Sequence, residues 1–231
     1  MASTTLIYAT IAGLVPSLIW LVFWIREDSA QMEPRLMLII SFVAGMCVVA
    51  VALFLEQYTA GFIIGDTTRY VVWAAIEELM KFTAVAIVAL NTDWNDEPID
   101  AMIYCIVVAL GFAAVENTLF ALGPLSAGSI AESIVNDNMR FIGATLVHTV
   151  SSALPGFALG WAFYRGYLTK FFALILGLSA AVALHAAFNL SIINSVGADT
   201  LRTFAWVWGA VVILIVLFEE VKAVQPRIQK I

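Results

Sequence analysis

The sequence Ile76-Glu77-Glu78-Leu79-Met80-Lys81 places two carboxylates and an ammonium group inside an apolar run that covers residues 70–90. A charged side chain deep in a bilayer costs about 2.5–3.5 kcal/mol on insertion scales, so three within one and a half helical turns require a specific environment. On a helix, Glu77 lies four residues before Lys81 and Glu78 lies three before it, so all three share one face. This stretch therefore predicts a membrane helix whose polar face meets other polar groups.

The overall composition is that of an integral membrane protein. The chain has 231 residues, of which 62% are hydrophobic and 12% are charged, and its mean hydropathy is +0.97. A soluble domain is about half apolar and a quarter charged. We therefore expect an all-α, polytopic membrane helix bundle that forms a single domain over residues 1–231, with the lipid bilayer as its surroundings. The net charge of −6 argues against a nucleic-acid partner.

Seven apolar runs are long enough to cross the hydrocarbon core as helices. They cover residues 5–25, 36–57, 69–90, 100–123, 139–164, 169–193 and 202–221. No Lys or Arg precedes the first run and no small-residue cleavage site follows it, so we interpret it as a span and not as a cleaved signal peptide. With the N-terminus outside, seven Lys and Arg residues fall in inner segments and three in outer ones. The runs thus predict about seven transmembrane helices. The distribution of Lys and Arg predicts an N-out/C-in orientation.

The other intramembrane ionisable groups fall at one predicted depth. Glu116 lies in the fourth run, His148 in the fifth and His185 in the sixth. Like Glu77, each lies seven to nine residues from the end of its span that would meet one particular membrane surface. At 1.5 Å per residue, all four therefore lie about 10–14 Å below that surface. Because neighbouring helices enter the membrane from opposite sides, this agreement predicts a single polar site formed by four helices, and it does not depend on the orientation.

The residue types in this predicted site suit proton transfer and ligand binding. One of two crowded carboxylates suits a general base or acid, and we expect Lys81 to pair with the other. Glu116 has no cation within one turn of its own helix, so it should be protonated, bond a histidine or bind a metal. Asn117 follows it directly, and Asn189 lies four residues after His185, where it could orient a ligand or donate to an oxyanion.

Four ordered motifs on consecutive spans resemble the PrsW family of intramembrane proteases. They are EExxK at Glu77–Lys81, FxxxEN at Phe112–Asn117, the single His148, and HxxxN at His185–Asn189. The set is more distantly similar to the CPBP (Abi) prenyl-endopeptidase superfamily. The resemblance covers about residues 70–195, which we take as the catalytic core. It implies a prokaryotic plasma membrane location and site-1 cleavage of a membrane-anchored substrate, such as an anti-sigma factor, on its extracytoplasmic side.

Two mechanisms are compatible with this resemblance. In the first, His148, His185 and Glu116 bind Zn²⁺ and leave a fourth position for water, Glu77 is the general base, and Glu78 pairs with Lys81. In the second, no metal is bound: Glu77 activates water directly, while His148, His185 and Asn189 orient it and stabilise the oxyanion.

Two further classes of protein remain open from the residues. A proton- or cation-coupled carrier could use the same groups as a relay, although carriers usually show matching halves with discontinuous helices. In this sequence the polar groups lie on the third to sixth runs, with no matching half. A purely structural membrane protein would lose only stability on substitution of Glu77. The oligomeric state cannot be read from the sequence.

Overall fold

The structure is a computed structural model that describes residues 2–27, 32–127, 143–194 and 198–226, and every regular element in these ranges is helical. The all-α fold class is therefore confirmed. The helices are α1 (Ala2–Glu27), α2 (Arg35–Ala60), α3 (Asp66–Val85), α4 (Asp100–Ser126), α5 (Thr145–Trp161), α6 (Tyr167–Asn194) and α7 (Ala198–Lys222). A π-helical turn at Ala86–Leu90 continues α3.

Five of the described helices, namely α1, α2, α4, α6 and α7, are long and apolar enough to cross a membrane. The helix α3 carries the charged residues of the EExxK motif, and the described part of α5 has 17 residues. A multispan membrane protein is supported by these helices. The count of seven spans and the N-out/C-in orientation stay predictions.

Two predicted boundaries differ from the structure or lie outside it. The fourth run was expected to end at residue 123, but α4 continues to Ser126 with Pro124 in its last turn. Because Pro124 has no N–H group, it removes one backbone hydrogen bond from this last turn. Most of the predicted connection 124–138, and residues 139–142 of the fifth run, lie outside the described residues.

The helix α4 is the centre of the bundle, and it packs on α1, α2 and α5. Residues 101–114 of α4 are all buried, as expected of a helix that is apolar on every side. Small residues allow the α2–α4 contact. A Cβ atom on Gly111 would lie 2.0 Å from the carbonyl oxygen of Phe42, and one on Gly45 would lie 2.0 Å from that of Val108. Backbones that approach this closely are typical of membrane helix pairs.

The polar motifs are carried by four helices that pack around one point. The helix α3 packs on α2 and α6, and α5 packs between α4 and α6. An apolar cluster of Val49 and Ala52 from α2 with Phe112 from α4 lies next to the motifs. These rigid helices, and not loops, hold the candidate site.

Candidate functional site

The three charged residues of the EExxK motif are buried in the bundle. Glu77, Glu78 and Lys81 expose 7%, 1% and 1% of their surface. The Lys81 ammonium donates to Glu78 Oε1 over 2.6 Å, and it lies 5.0 Å above the ring of Phe112. The predicted pairing of Lys81 with one carboxylate of the motif is thus seen with Glu78. Because neighbouring residues on a helix differ by about 100° in direction, the other carboxylate faces elsewhere.

Glu78 accepts hydrogen bonds from three helices. Besides Lys81, its donors are the Ser152 hydroxyl at 2.8 Å, the Ser151 hydroxyl at 3.2 Å and Nδ1 of His185 at 2.7 Å. The two serines therefore support a carboxylate. The single Ser151 hydroxyl proton is shared with the carbonyl oxygen of Val147, so Glu78 has at least three full donors. Such a carboxylate is stabilised as an anion and is poorly suited to moving protons. Its role in the geometry is to hold α3, α5 and α6 together.

Each histidine is anchored by a carboxylate on one ring nitrogen and faces Glu77 with the other. His185 uses Nδ1 for Glu78, and its Nε2 lies 3.8 Å from Glu77 Oε2. His148 uses Nε2 for Glu116 Oε2 at 2.6 Å, and its Nδ1 lies 3.7 Å from Glu77 Oε2. With the anchored nitrogens assigned as donors, the unprotonated nitrogens of both imidazoles lie within 3.8 Å of the same carboxylate oxygen. A carboxylate on the second nitrogen is the usual support of a metal-binding histidine.

Glu77 supplies a buried acceptor without a partner. Its Oε2 atom is inaccessible to solvent and makes no hydrogen bond to a described residue, which is costly unless another group binds there. One ligand atom from each of Glu77, His148 and His185 lies within 4.8 Å of the others. Two ligands of a tetrahedral Zn²⁺ lie about 3.3 Å apart, so these separations must shorten by up to about 1.5 Å for the three residues to hold a metal ion.

A second contact competes for one of these lone pairs. Lys81 Nζ lies 3.1 Å from Nδ1 of His148. If the ammonium donates to this nitrogen, the imidazole is neutral and its Nδ1 lone pair is occupied. Lys81 also has Glu78 as a partner, so it can release His148 without losing its ion pair.

The remaining predicted residues have distinct places. Glu116, expected as a metal ligand, contacts the far nitrogen of His148 and thus positions that ring. Asn117 donates to Thr145 Oγ1 over 2.9 Å and joins α4 to the start of α5. Asn189 lies on the wall of the site cavity, one turn after His185. The structure thus brings Glu77, Glu78, Lys81, Glu116, His148 and His185 into one connected cluster, with Asn189 beside it.

A cavity of about 430 Å³ opens onto this cluster. Glu77, Glu116, His148, His185 and Asn189 contribute its polar wall. The rest is largely aliphatic and aromatic and includes Tyr70, Trp73, Leu119, Phe120, Phe188, Ile192 and Ile193. This size and lining suit a segment of apolar polypeptide.

Glu56 of α2 also lines the cavity, and the sequence analysis missed it. It stands alone near the end of an apolar run, with no second polar residue at helical spacing to form a motif. The one available signal was a carboxylate inside a predicted span.

Comparisons with known proteins agree on one family. The sequence model described as "PrsW family intramembrane metalloprotease" matches residues 33–221. The chain is 28% identical to Protease PrsW of Geobacillus kaustophilus over 154 residues, which span 65% of each protein. It is 24% identical to Protease PrsW of Bacillus subtilis over 77% of this chain and 79% of that protein, and 23% identical to Protease PrsW of Shouchella clausii over 81% and 84%. No solved structure matches the chain significantly.

Proposed function

The chain belongs to the PrsW family of intramembrane metalloproteases, which indicates a peptidase, and we propose that it hydrolyses a peptide bond of a membrane-anchored protein within its own bilayer. The substrate cavity is the space bounded by α2 to α6, and the catalytic core covers about residues 70–195. The family assignment supports a peptidase over the cation-coupled carrier that the residues alone left open.

The observation that carries this proposal is the orientation of both histidines toward the unpartnered oxygen of Glu77. In our proposal Glu77, His148 and His185 hold the metal, and Zn²⁺ suits a set of two imidazoles and one carboxylate. This replaces the set with Glu116 that was expected from the sequence. When bound, the ion would supply Lewis-acid polarisation of the scissile carbonyl.

The residues of the chain divide the remaining tasks. Glu78 and Glu116 orient the imidazoles through their outer nitrogens. Glu116 also lines the cavity, where its carboxylate can accept a proton from attacking water. Asn189 makes no hydrogen bond to a described residue, so its amide can donate to the carbonyl oxygen of the substrate as negative charge develops there. The apolar wall around them limits access of bulk water.

A metal-independent version of the same activity is favoured by one contact, the approach of Lys81 to Nδ1 of His148. In that version Glu77 itself takes the proton from water. The imidazoles and Asn189 then orient the water and the peptide, as in the glutamate-dependent mechanism considered above.

Metal content separates the two versions. We would purify the wild type without chelators, together with Glu77→Gln, His148→Ala and the interfacial control Glu219→Gln, and measure bound metals by mass spectrometry. About one ion per chain in the wild type and the control, lost in the other two variants, is the expected result. Absence of metal from the wild type would reject the metal-dependent version.

We further propose that cleavage occurs near the extracytoplasmic side of a prokaryotic plasma membrane, as site-1 cleavage of a substrate such as an anti-sigma factor. The support is the charge distribution of the loops together with the position of the site in the outer half of the predicted spans. Cysteine labelling of the 124–138 connection from the outside tests this side. Labelling only from the cytoplasm would contradict it.

A further inference from the structure

Glu56 is a cavity carboxylate that the proposed mechanism does not use. Its side chain is half-buried in the wall that also holds Glu77 and Glu116. It forms no hydrogen bond or ion pair through its carboxylate with any residue in the described ranges. An anion in this position is costly unless a cation enters the cavity.

The wall of the cavity that Glu56 lines is suited to the stem of a long basic side chain. Tyr70 and Trp73 of α3 line the same cavity, and their rings are 5.7 Å apart in an edge-to-face arrangement. Aromatic faces attract ammonium and guanidinium groups, and apolar walls cover the methylene stem of Lys or Arg. A cavity that combines a carboxylate with aromatic rings therefore favours a basic group over a neutral one.

The position of Glu56 along the membrane normal places it above the reacting groups. Glu56 lies one turn before the end of α2 at Ala60, or about 6 Å along the helix. Glu77 lies eleven residues after the start of α3 at Asp66, or about 16 Å. The short loop 61–65 joins these two helix ends near one membrane surface. Glu56 therefore lies about 10 Å nearer to that surface than Glu77 does. An extended peptide covers this distance in about three residues.

We propose that Glu56 is a specificity-determining residue that binds a lysine or arginine side chain of the substrate. The basic residue lies about three positions from the scissile bond, on the side of the substrate that leaves the membrane near loop 61–65. This inference rests on the proposed peptidase function, and it adds a charge requirement that the histidines and Glu77 do not impose.

The test uses the full-length protein in lipid nanodiscs and quenched fluorescent peptides with one apolar segment, whose cleavage position is mapped by mass spectrometry. A single Lys, Gln or Glu is placed at each position from four residues before to four residues after the cleaved bond. The ratio of kcat/KM for the Lys and Gln peptides is measured for the wild type, Glu56→Gln, Glu56→Lys and the exposed control Glu220→Gln.

We expect the wild type and Glu220→Gln to prefer Lys at least tenfold at one position, two to four residues from the cleaved bond. Glu56→Gln should reduce this ratio below threefold, and Glu56→Lys should transfer the preference to Glu. The role of Glu56 is overturned if the wild type shows no preference, if the ratio survives in Glu56→Gln, or if that variant loses cleavage of all peptides equally. Failure of the wild type to cleave any peptide would contradict the peptidase function itself and this inference with it.

Discussion

The substitution Glu116→Gln tests whether Glu116 binds metal or only positions His148. The carboxylate accepts from His148 Nε2 over 2.6 Å, and the Glu116 side chain is 18% exposed. A hydrogen bond to a charged group contributes about 1.5–3 kcal/mol, and an amide keeps about half of that strength. Losing a positioning carboxylate typically weakens metal binding 10–100-fold, which is about 1.4–2.7 kcal/mol. We therefore expect Glu116→Gln to bind one ion per chain with a Kd raised 10–100-fold.

The assay is a titration of detergent-solubilised apoprotein with Zn²⁺ against a chromophoric chelator, with Glu77→Gln and Glu219→Gln measured beside it. Glu77→Gln removes a proposed ligand, so its binding should be weaker than that of Glu116→Gln. Glu219→Gln changes a carboxylate that pairs with Lys222 at the end of α7 and should match the wild type. The reasoning is refuted if Glu116→Gln loses the ion completely while Glu77→Gln retains it, because that order matches the ligand set expected from the sequence.

Two further predictions concern stability, measured as unfolding by sodium dodecyl sulfate in mixed micelles. Glu78→Ala should lower the free energy of unfolding by about 3–5 kcal/mol because it leaves the buried ammonium of Lys81 without its partner. The double variant Glu78→Met with Lys81→Met should recover part of this loss, and no recovery would show that the ion pair is not the cause. Gly111→Ala should destabilise by more than about 1 kcal/mol, since its new methyl group would lie 2.0 Å from the carbonyl oxygen of Phe42. Gly123→Ala meets nothing within 4 Å and should be neutral or stabilising, so equal losses in both would contradict the packing argument.

The sequence was sufficient to predict an all-helical bundle, and it selected four polar residues that the structure brings together, but it did not predict the contacts within the site. Residue spacing places Glu77, Glu116, His148 and His185 at one depth, and the structure joins their side chains by contacts of 2.6–3.8 Å. Spacing along a helix says which face a residue occupies, but it does not say which ring nitrogen of a histidine meets which carboxylate. That choice depends on the rotation of four helices relative to one another, and it puts Glu116 beside Nε2 of His148 while Glu77 lies near Nδ1.

Glu56 could not be recognised from the sequence for a related reason. Motif spacing detects groups that one helix places together, whereas Glu56 meets the site only through the packing of α2 on α3 and α4. Its neighbours in the cavity are contributed by other helices. A lone carboxylate inside an apolar run thus indicates a polar site, but the groups that surround it are identified only from the three-dimensional structure.

The contacts of Glu78 link the stability of the helix bundle to the activity of the site, whereas the two can be separated at Glu116. Glu78 is 1% exposed and joins Lys81 of its own helix to Ser151 and Ser152 of α5 and to His185 of α6. Removing it breaks interhelical packing and the support of a proposed ligand at once. Glu116 is partly exposed and supports the ring of His148, so its loss should disturb that ring more than the packing of the helices. A substitution series over these two carboxylates therefore separates the energy that holds the helices together from the energy that orients the imidazoles.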